Sequence, residues 1–335
     1  MTYLTIDAGT TNTRTTLWQN GAPIARAQCE IGVRNTAIDG HNQALKNAVS
    51  STIESVLKAT NLPADSVTLA LASGMITSSM GLKEVPHLTA PSGLSHFAAG
   101  MQRLDDPHLA PGIHLPLWLV PGVRNRINPV SLHNVEAMDM MRGEETEAIG
   151  LIARLTLTGP VMFIMPGSHT KLVSIDAEGC ITGCATTLAG ELLQVITQNT
   201  LISQSLDADF ADDFLPDMVL EGASAAQKTG LARACFSVRT LALFTESQRN
   251  ERANYLLGAV LSGDLLALKN SSAIQMQPDT PIIITGKSLL RQALALLIEK
   301  QGFFYGKRTI VTDEQQADLA GFGALTIAKA RGLIT

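Results

Sequence analysis

Two short segments of this chain carry residues whose types and spacing could do chemistry. Asp7-Ala8-Gly9-Thr10-Thr11-Asn12-Thr13-Arg14 places a carboxylate at the end of a β-rich run, then a glycine and a cluster of hydroxyls in a turn. Glycine lets another group approach the backbone closely, so N–H groups and hydroxyls there suit phosphate oxygens. Asp7 can then hold Mg²⁺ directly or through water. An ordinary Thr-rich hairpin turn is the plain alternative. Pro166-Gly167-Ser168-His169-Thr170-Lys171 repeats the theme between two further β-rich runs. One such hairpin is weak evidence. Two in equivalent places could face each other across a cleft and clamp a polyphosphate. Gly9, Thr10, Thr11, Asn12 and Arg14 would stand on one side, and Gly167, Ser168, His169, Thr170 and Lys171 on the other. On residue type alone, His169 reads as turn-stabilising and Lys171 as a strand-end charge.

Three other segments are informative. Gly74-Met75-Ile76-Thr77-Ser78-Ser79 follows an apolar run, and polar loops at strand ends are common ligand positions. Gly74, Met75, Thr77, Ser78 and Ser79 could hold a small polar substrate, or simply close the strand. Arg142-Gly143-Glu144-Glu145 opens a helical pattern, where Glu144, Glu145 and Glu147 favour the helix N-terminus whether or not one of them is a base. Thr285-Gly286-Lys287-Ser288 leads from an apolar run into a helix but lacks the earlier glycine of a P-loop. Cys180 and Cys184 have no further Cys or His at metal-ligand spacing nearby, so they read as small core residues of a reducing cytosol.

The elements that must position these segments repeat in order. Strands are predicted at 2–6, 14–18 and 22–31, with Asn20-Gly21 as a type I′ hairpin turn. A helix over 41–59, capped by Asp39 or Gly40, and strands at 66–73 and 114–120 follow. Residues 86–116 read as a long proline-bearing loop. The pattern restarts with a helix at 144–155 and strands at 161–165, 171–176 and 180–187. Helices are predicted at 189–205, 222–234, 250–268, 288–300 and 315–331, with strands at 281–285 and 309–312. No low-complexity linker separates the halves, which favours packed lobes with a hinge.

Composition narrows the function classes. The 335 residues are 45% hydrophobic and 16% charged, enough for about two domains with a substantial core. A net charge of −5, no basic block and 4% aromatics exclude a default role on nucleic acid. The first residues lack a basic segment followed by an apolar run, and no apolar helix pattern is long enough to span a bilayer. A cytoplasmic location without a membrane partner is therefore expected.

The paired Asp-x-Gly-Thr-Thr and Gly-Ser-His-Thr hairpins resemble the phosphate-binding motifs of the actin/hexokinase/Hsp70 ATPase superfold. More narrowly, the chain resembles the 2-dehydro-3-deoxygalactonokinase family. The matching segments run in order: residues 7–14, Ser73-Gly74-Met75-Ile76, Lys83-Glu84-Val85-Pro86, Val120-Pro121-Gly122, Met141-Arg142-Gly143-Glu144-Glu145-Thr146, residues 166–171, Gly190-Glu191-Leu192 and Phe236-Ser237-Val238-Arg239-Thr240. The resemblance implies an α/β fold of two RNase H-like lobes, 1–143 and 144–335, around an interlobe active-site cleft, with helix 315–331 on either lobe. It implies ATP- and Mg²⁺-dependent phosphorylation of a 2-keto-3-deoxy sugar acid, 2-dehydro-3-deoxy-galactonate giving its 6-phosphate. In that reading Glu144 is the base, with Asp139 and Glu145 as rivals. Arg142 orients the acid or meets the substrate carboxylate, and Gly286 admits the nucleotide. A phosphohydrolase or a non-enzymatic ATP-binding switch of the same superfold are the competing readings, and a homodimer is left open.

Overall fold

The structure, a computed structural model, describes residues 1–105 and 115–334. It opens with an antiparallel meander of β1 (Thr2–Ala8), β2 (Thr13–Gln19) and β3 (Ala22–Cys29). Asn20 and Gly21 sit at φ 53° and 82°, the pair of positive values that a type I′ turn requires. Next come α1 (Val33–Asp39) and α2 (Gln43–Thr60). The predicted helix at 41–59 starts two residues later, because Gly40 at φ 73° closes α1 instead of capping α2. The stripe Leu45, Val49, Ile53 and Val56 of α2 is buried against Leu4, Ile6 and Leu17 of the meander.

β4 (Val67–Gly74) then pairs parallel with β1. The stretch read as a long proline-bearing loop holds β5 (Leu88–Thr89), α3 (Leu94–Gly100) and β6 (Gln102–Leu104). The strand predicted at 114–120 is β7 (Leu117–Leu119); His114, with Pro107 and Pro111, lies outside the described residues. β8 (Val123–Arg124) and β9 (Met140–Met141) follow, and the first sheet has the order β3-β2-β1-β4-β7-β6.

The second half repeats this winding. After α4 (Glu144–Leu155) come β10 (Val161–Met165), β11 (Thr170–Ile175) and β12 (Ile181–Thr187), again an antiparallel meander. α5 (Ala189–Asn199), α6 (Pro216–Thr229), α7 (Leu231–Phe244) and α8 (Arg249–Asn270) cover one face. β13 (Ile282–Ile284), α9 (Ser288–Gln301), β14 (Arg308–Ile310), α10 (Asp313–Gln316) and α11 (Leu319–Ala330) complete the lobe, with sheet order β12-β11-β10-β13-β14. Two predicted helices are broken. Gly230 at φ 83° separates α6 from α7 where one helix at 222–234 was expected, and Asp318 at φ 53° separates α10 from α11. Two lobes of one RNase H-like winding form the architecture of the actin-like ATPases.

Two structures join the lobes. The helices α4 and α11 cross at glycines: a Cβ on Gly323 would lie 1.9 Å from the Thr146 carbonyl oxygen, and one on Gly150 would lie 2.8 Å from that of Leu319. α11 also packs on β1, where Gly321 leaves room for Thr5 and the Trp18 ring. The third sheet, β5-β8-β9, binds the second lobe instead. Ser92 and Ile181 exchange backbone hydrogen bonds of 3.0 and 2.9 Å. The buried Asn125 amide donates to the carbonyls of Cys184 and Ala273 and accepts the Cys184 N–H.

Candidate active site

The first hairpin is set from behind. Asp7 pairs with Arg14 across β1 and β2, and the turn closes through a 2.9 Å bond from Gly9 N–H to the Asn12 carbonyl. The carbonyls of Gly9 and Thr10 accept from Val33 and Arg34 at the start of α1 at 3.2 and 2.9 Å. Gly32 must be glycine, since a Cβ would sit 2.5 Å from both oxygens. The second hairpin is held the same way. Glu191 N–H at the start of α5 donates to the Ser168 carbonyl at 2.9 Å, and a Cβ on Gly190 would lie 2.0 Å from the Gly167 carbonyl. In each lobe a helix start fixes the hairpin carbonyls on one side, which directs the loop toward the space between the lobes.

That space is a cleft of about 1180 Å³. Gly9, Thr10 and Arg14 line it from one hairpin; Gly167, Ser168, His169 and Lys171 line it from the other. Met75, Ser78, Ser79, Arg142, Glu144 and Gly286 also line it, so thirteen of the expected site residues meet there. Thr11, Asn12, Gly74, Thr77, Thr170, Asp7, Asp139 and Glu145 do not form its walls. Each of the last six has a visible structural task.

Gly74, at φ 86°, lets β4 end against Asp7: a Cβ there would be 2.9 Å from the Asp7 carboxylate. Thr77 is buried and accepts from Arg142 Nη1 at 2.6 Å. Thr170 turns inward to Asp264 of α8, a buried carboxyl raised to about 6 by burial, against the lowering effect of the Thr187 and Thr170 hydroxyls. Asp139 accepts from Thr186 N–H at 2.6 Å and Thr186 Oγ1 at 3.0 Å, so it anchors β12. Glu145 is fully buried and accepts the Gly143 N–H at 2.8 and 2.9 Å. Burial first, then the Glu144 charge, pushes its pKa up to about 8. These two rivals for the base are thus occupied away from the cleft.

Asp7 is half-buried beneath the wall and within 3.5 Å of Arg14. Its pKa is raised by burial and by Glu144, and lowered by Arg14. Glu147 lines the cleft one helical turn beyond Glu144, and burial with the Asp7 and Glu144 charges pushes it up to about 8. Three carboxyl groups crowd one arginine, and a divalent cation bound there would favour their charged forms. Among the described residues no three acidic, His or Cys groups converge closely enough to ligate one ion. A cation such as Mg²⁺, which needs only one or two carboxylates beside waters and substrate phosphates, could still be held there.

Two of the expected residues, Arg142 and Lys171, are already partnered within the protein. Arg142 spends its guanidinium on the Thr77 carbonyl and hydroxyl, the Val85 carbonyl and His87, bracing the 74–87 loop. Lys171 is a buried cation that donates to the Met140 carbonyl and Thr186 Oγ1 at 3.0 and 2.7 Å. His169 instead reaches Glu191 at 3.2 Å. Glu147, Glu84, His87, Asp313 and Gln316 are cleft residues that sequence reasoning missed. Gln316 grips Gly286 through reciprocal bonds of 2.9 and 3.1 Å.

Comparison with known proteins gives this site a family. A 2-dehydro-3-deoxygalactonokinase of Escherichia coli (strain K12) is 26% identical over 275 residues, 82% of each chain. A relative in Rhizobium meliloti (strain 1021) assigned the same activity is 26% identical, covering 96% of this chain and 95% of its own. A solved Sinorhizobium meliloti protein assigned that activity shares the fold with a TM-score of 0.73 at 22% identity over 98% of both chains. The activator of the 2-hydroxyisocaproyl-CoA dehydratase from Clostridium difficile, solved with ADPNP, shares it more distantly, with a TM-score of 0.52 at 12% identity over 99% of this chain and 97% of its own. The family model for 2-keto-3-deoxy-galactonokinase matches residues 7–325. With paired hairpins and an acidic cluster on one cleft, and that match across nearly its whole length, the chain belongs to the 2-keto-3-deoxy-galactonokinase family and is a carbohydrate kinase.

Proposed function

We propose that the chain transfers the γ-phosphoryl group of ATP to the 6-hydroxyl of 2-dehydro-3-deoxy-galactonate. The observation that carries this reading is the pairing of two helix-backed hairpins across one cleft with Glu144 between them. Hairpin amides and hydroxyls of Gly9 and Thr10 and of Gly167 to His169 hold the phosphates. Thr285, Gly286, Lys287 and Ser288 face the same space and admit the nucleoside. Met75, Ser78, Ser79 and His87 line the part of the cleft formed by the first lobe, where the sugar acid would sit.

Glu144 is the base. It is the first residue of α4, lines the cleft and is held by the Arg142 N–H at 3.2 Å. The 6-hydroxyl oxygen forms a bond to the γ-phosphorus as the bond from phosphorus to the ADP oxygen breaks, and the hydroxyl proton passes to the Glu144 carboxylate. Asp7 would hold Mg²⁺, directly or through water, and the ion would supply neutralisation of charge on the transferring phosphate. Positioning supplies most of the remaining acceleration.

ADP release measured with and without 2-keto-3-deoxy sugar acids tests the reaction. Stimulation by the galactonate derivative, with the 6-phosphate as product, is expected. Unstimulated release would make the chain a phosphohydrolase with Glu144 activating water.

A further inference from the structure

His87 stands at the cleft wall in a state that its neighbours dictate. Its Nδ1 lies 3.1 Å from Arg142 Nη2, and a guanidinium can only donate. Nδ1 therefore accepts, and the ring proton resides on Nε2. The Nε2 atom makes no hydrogen bond among the described residues. His87 lines the same cleft as Met75, Ser79 and Glu84. Gly122 packs against its Cδ2–Nε2 edge and leaves there the room a side chain would take, since a Cβ would lie 2.8 Å from Cδ2 and 3.1 Å from Nε2.

The surroundings favour an anion at that edge. Arg142 has used its Nη donors on Thr77, Val85 and His87, yet it keeps its full charge next to the ring. Arg124 adds a second positive field, and the acids that act on Arg142 are Glu145 and Glu84. Burial, then Arg142 and Arg124, hold the His87 pKa down to about 4, so the ring stays a neutral donor at physiological pH.

We propose that His87 Nε2–H donates to the carboxylate of the sugar acid, and so fixes which end of the substrate faces Glu144. This rests on the proposed sugar-acid reaction. Arg142 acts through the histidine: it sets the tautomer and supplies charge without touching the substrate.

The test compares His87→Asn and His87→Gln with the wild type, using 2-dehydro-3-deoxy-galactonate and its C1 carboxamide. Losing a hydrogen bond to a charged group should raise the sugar-acid KM about 10- to 100-fold in His87→Asn, with kcat and the nucleotide KM changed much less. Glutamine, whose amide nitrogen reaches near the Nε2 position, should restore part of the affinity. The preference for acid over carboxamide should shrink in His87→Asn, and the variant-to-wild-type KM ratio should stay level between pH 5.5 and 8. In the wild-type chain, ¹⁵N imidazole shifts should show the Nε2–H tautomer, a readout that needs no variant. An unchanged KM in an active His87→Asn enzyme, equal losses on acid and carboxamide, or an Nδ1–H tautomer would each overturn this inference alone. A wild-type chain that no sugar acid stimulates would overturn the reaction as well.

Discussion

Replacing Glu145 by glutamine should reveal its role through pH. The side chain is 0% exposed, and burial with the neighbouring Glu144 charge moves its pKa from 4.5 up to about 8. Between those values the folded chain holds a proton that the unfolded chain has released. Stability therefore falls as pH rises through that window. Below 4.5 both states are protonated and the effect vanishes; above 8 it is complete. Each pH unit inside the window costs at most about 1.4 kcal/mol, which sets an upper limit of about 2–3 kcal/mol between pH 5 and 7. Glutamine keeps an acceptor for the Gly143 N–H and cannot ionise. Relative to wild type, Glu145→Gln should thus gain at most about 2–3 kcal/mol on going from pH 5 to pH 7, roughly 3–4 °C in Tm. Denaturant unfolding of both proteins at pH 5, 6 and 7 measures this as a difference, in which most other titrating groups cancel. The variant should also keep kcat within about tenfold of wild type, because its carboxylate points away from the cleft. A stability difference that does not change with pH, or one that reverses, refutes the buried-acid argument.

Glu144→Gln should lower kcat by about 10²–10⁴-fold while nucleotide affinity and melting temperature stay near wild type, as single-turnover kinetics and calorimetry would report. Near-normal kcat would remove Glu144 as the base. Asp7→Asn should leave the fold intact and abolish most Mg²⁺-stimulated turnover, seen as a flattened response of rate to added Mg²⁺; an unchanged metal requirement would count against the assignment. Gly323→Ala places a methyl 1.9 Å from the Thr146 carbonyl, so α4 and α11 must part, at a cost of about 1–3 kcal/mol or more in equilibrium unfolding.

The hairpins were legible because their chemistry is local. Asn20-Gly21 and the glycines at 9 and 167 sit in turns between strands with clear β patterning, and the same order of elements recurs in each half. Glu147 carried a signal that was not used: it lies three residues after Glu144, the spacing that puts two helical side chains on one face. The break at Gly230 was likewise written in a glycine within an otherwise helical pattern. The third sheet left no such trace, since strands of two residues, as in β5, β8 and β9, have no periodicity to read. The contacts of Gln316 with Gly286, and of Arg142 with Thr77, Val85 and His87, join residues far apart in sequence. Residue type gave Arg142 its charge but not the partners, Thr77, Val85 and His87, that hold it.

The place of α11 bears on how the chain acquires its shape during synthesis. Arg26 in β3 pairs with Asp318, 292 positions downstream, through bonds of 2.7 and 2.5 Å. Arg331 stacks over Trp118 at 4.7 Å and donates to the Ala99 carbonyl at 2.9 Å. The first sheet is made early in translation, yet the surface around Thr5 and Trp18 stays uncovered until residue 321 arrives. Segments on the ribosome emerge at about 5–20 residues per second, so that apolar face waits for tens of seconds. During that interval the nascent first lobe is an open half-core, a substrate for chaperones or for mispairing with another chain. The two lobes, though wound alike, share in α11 a contact that is made only at the end of synthesis.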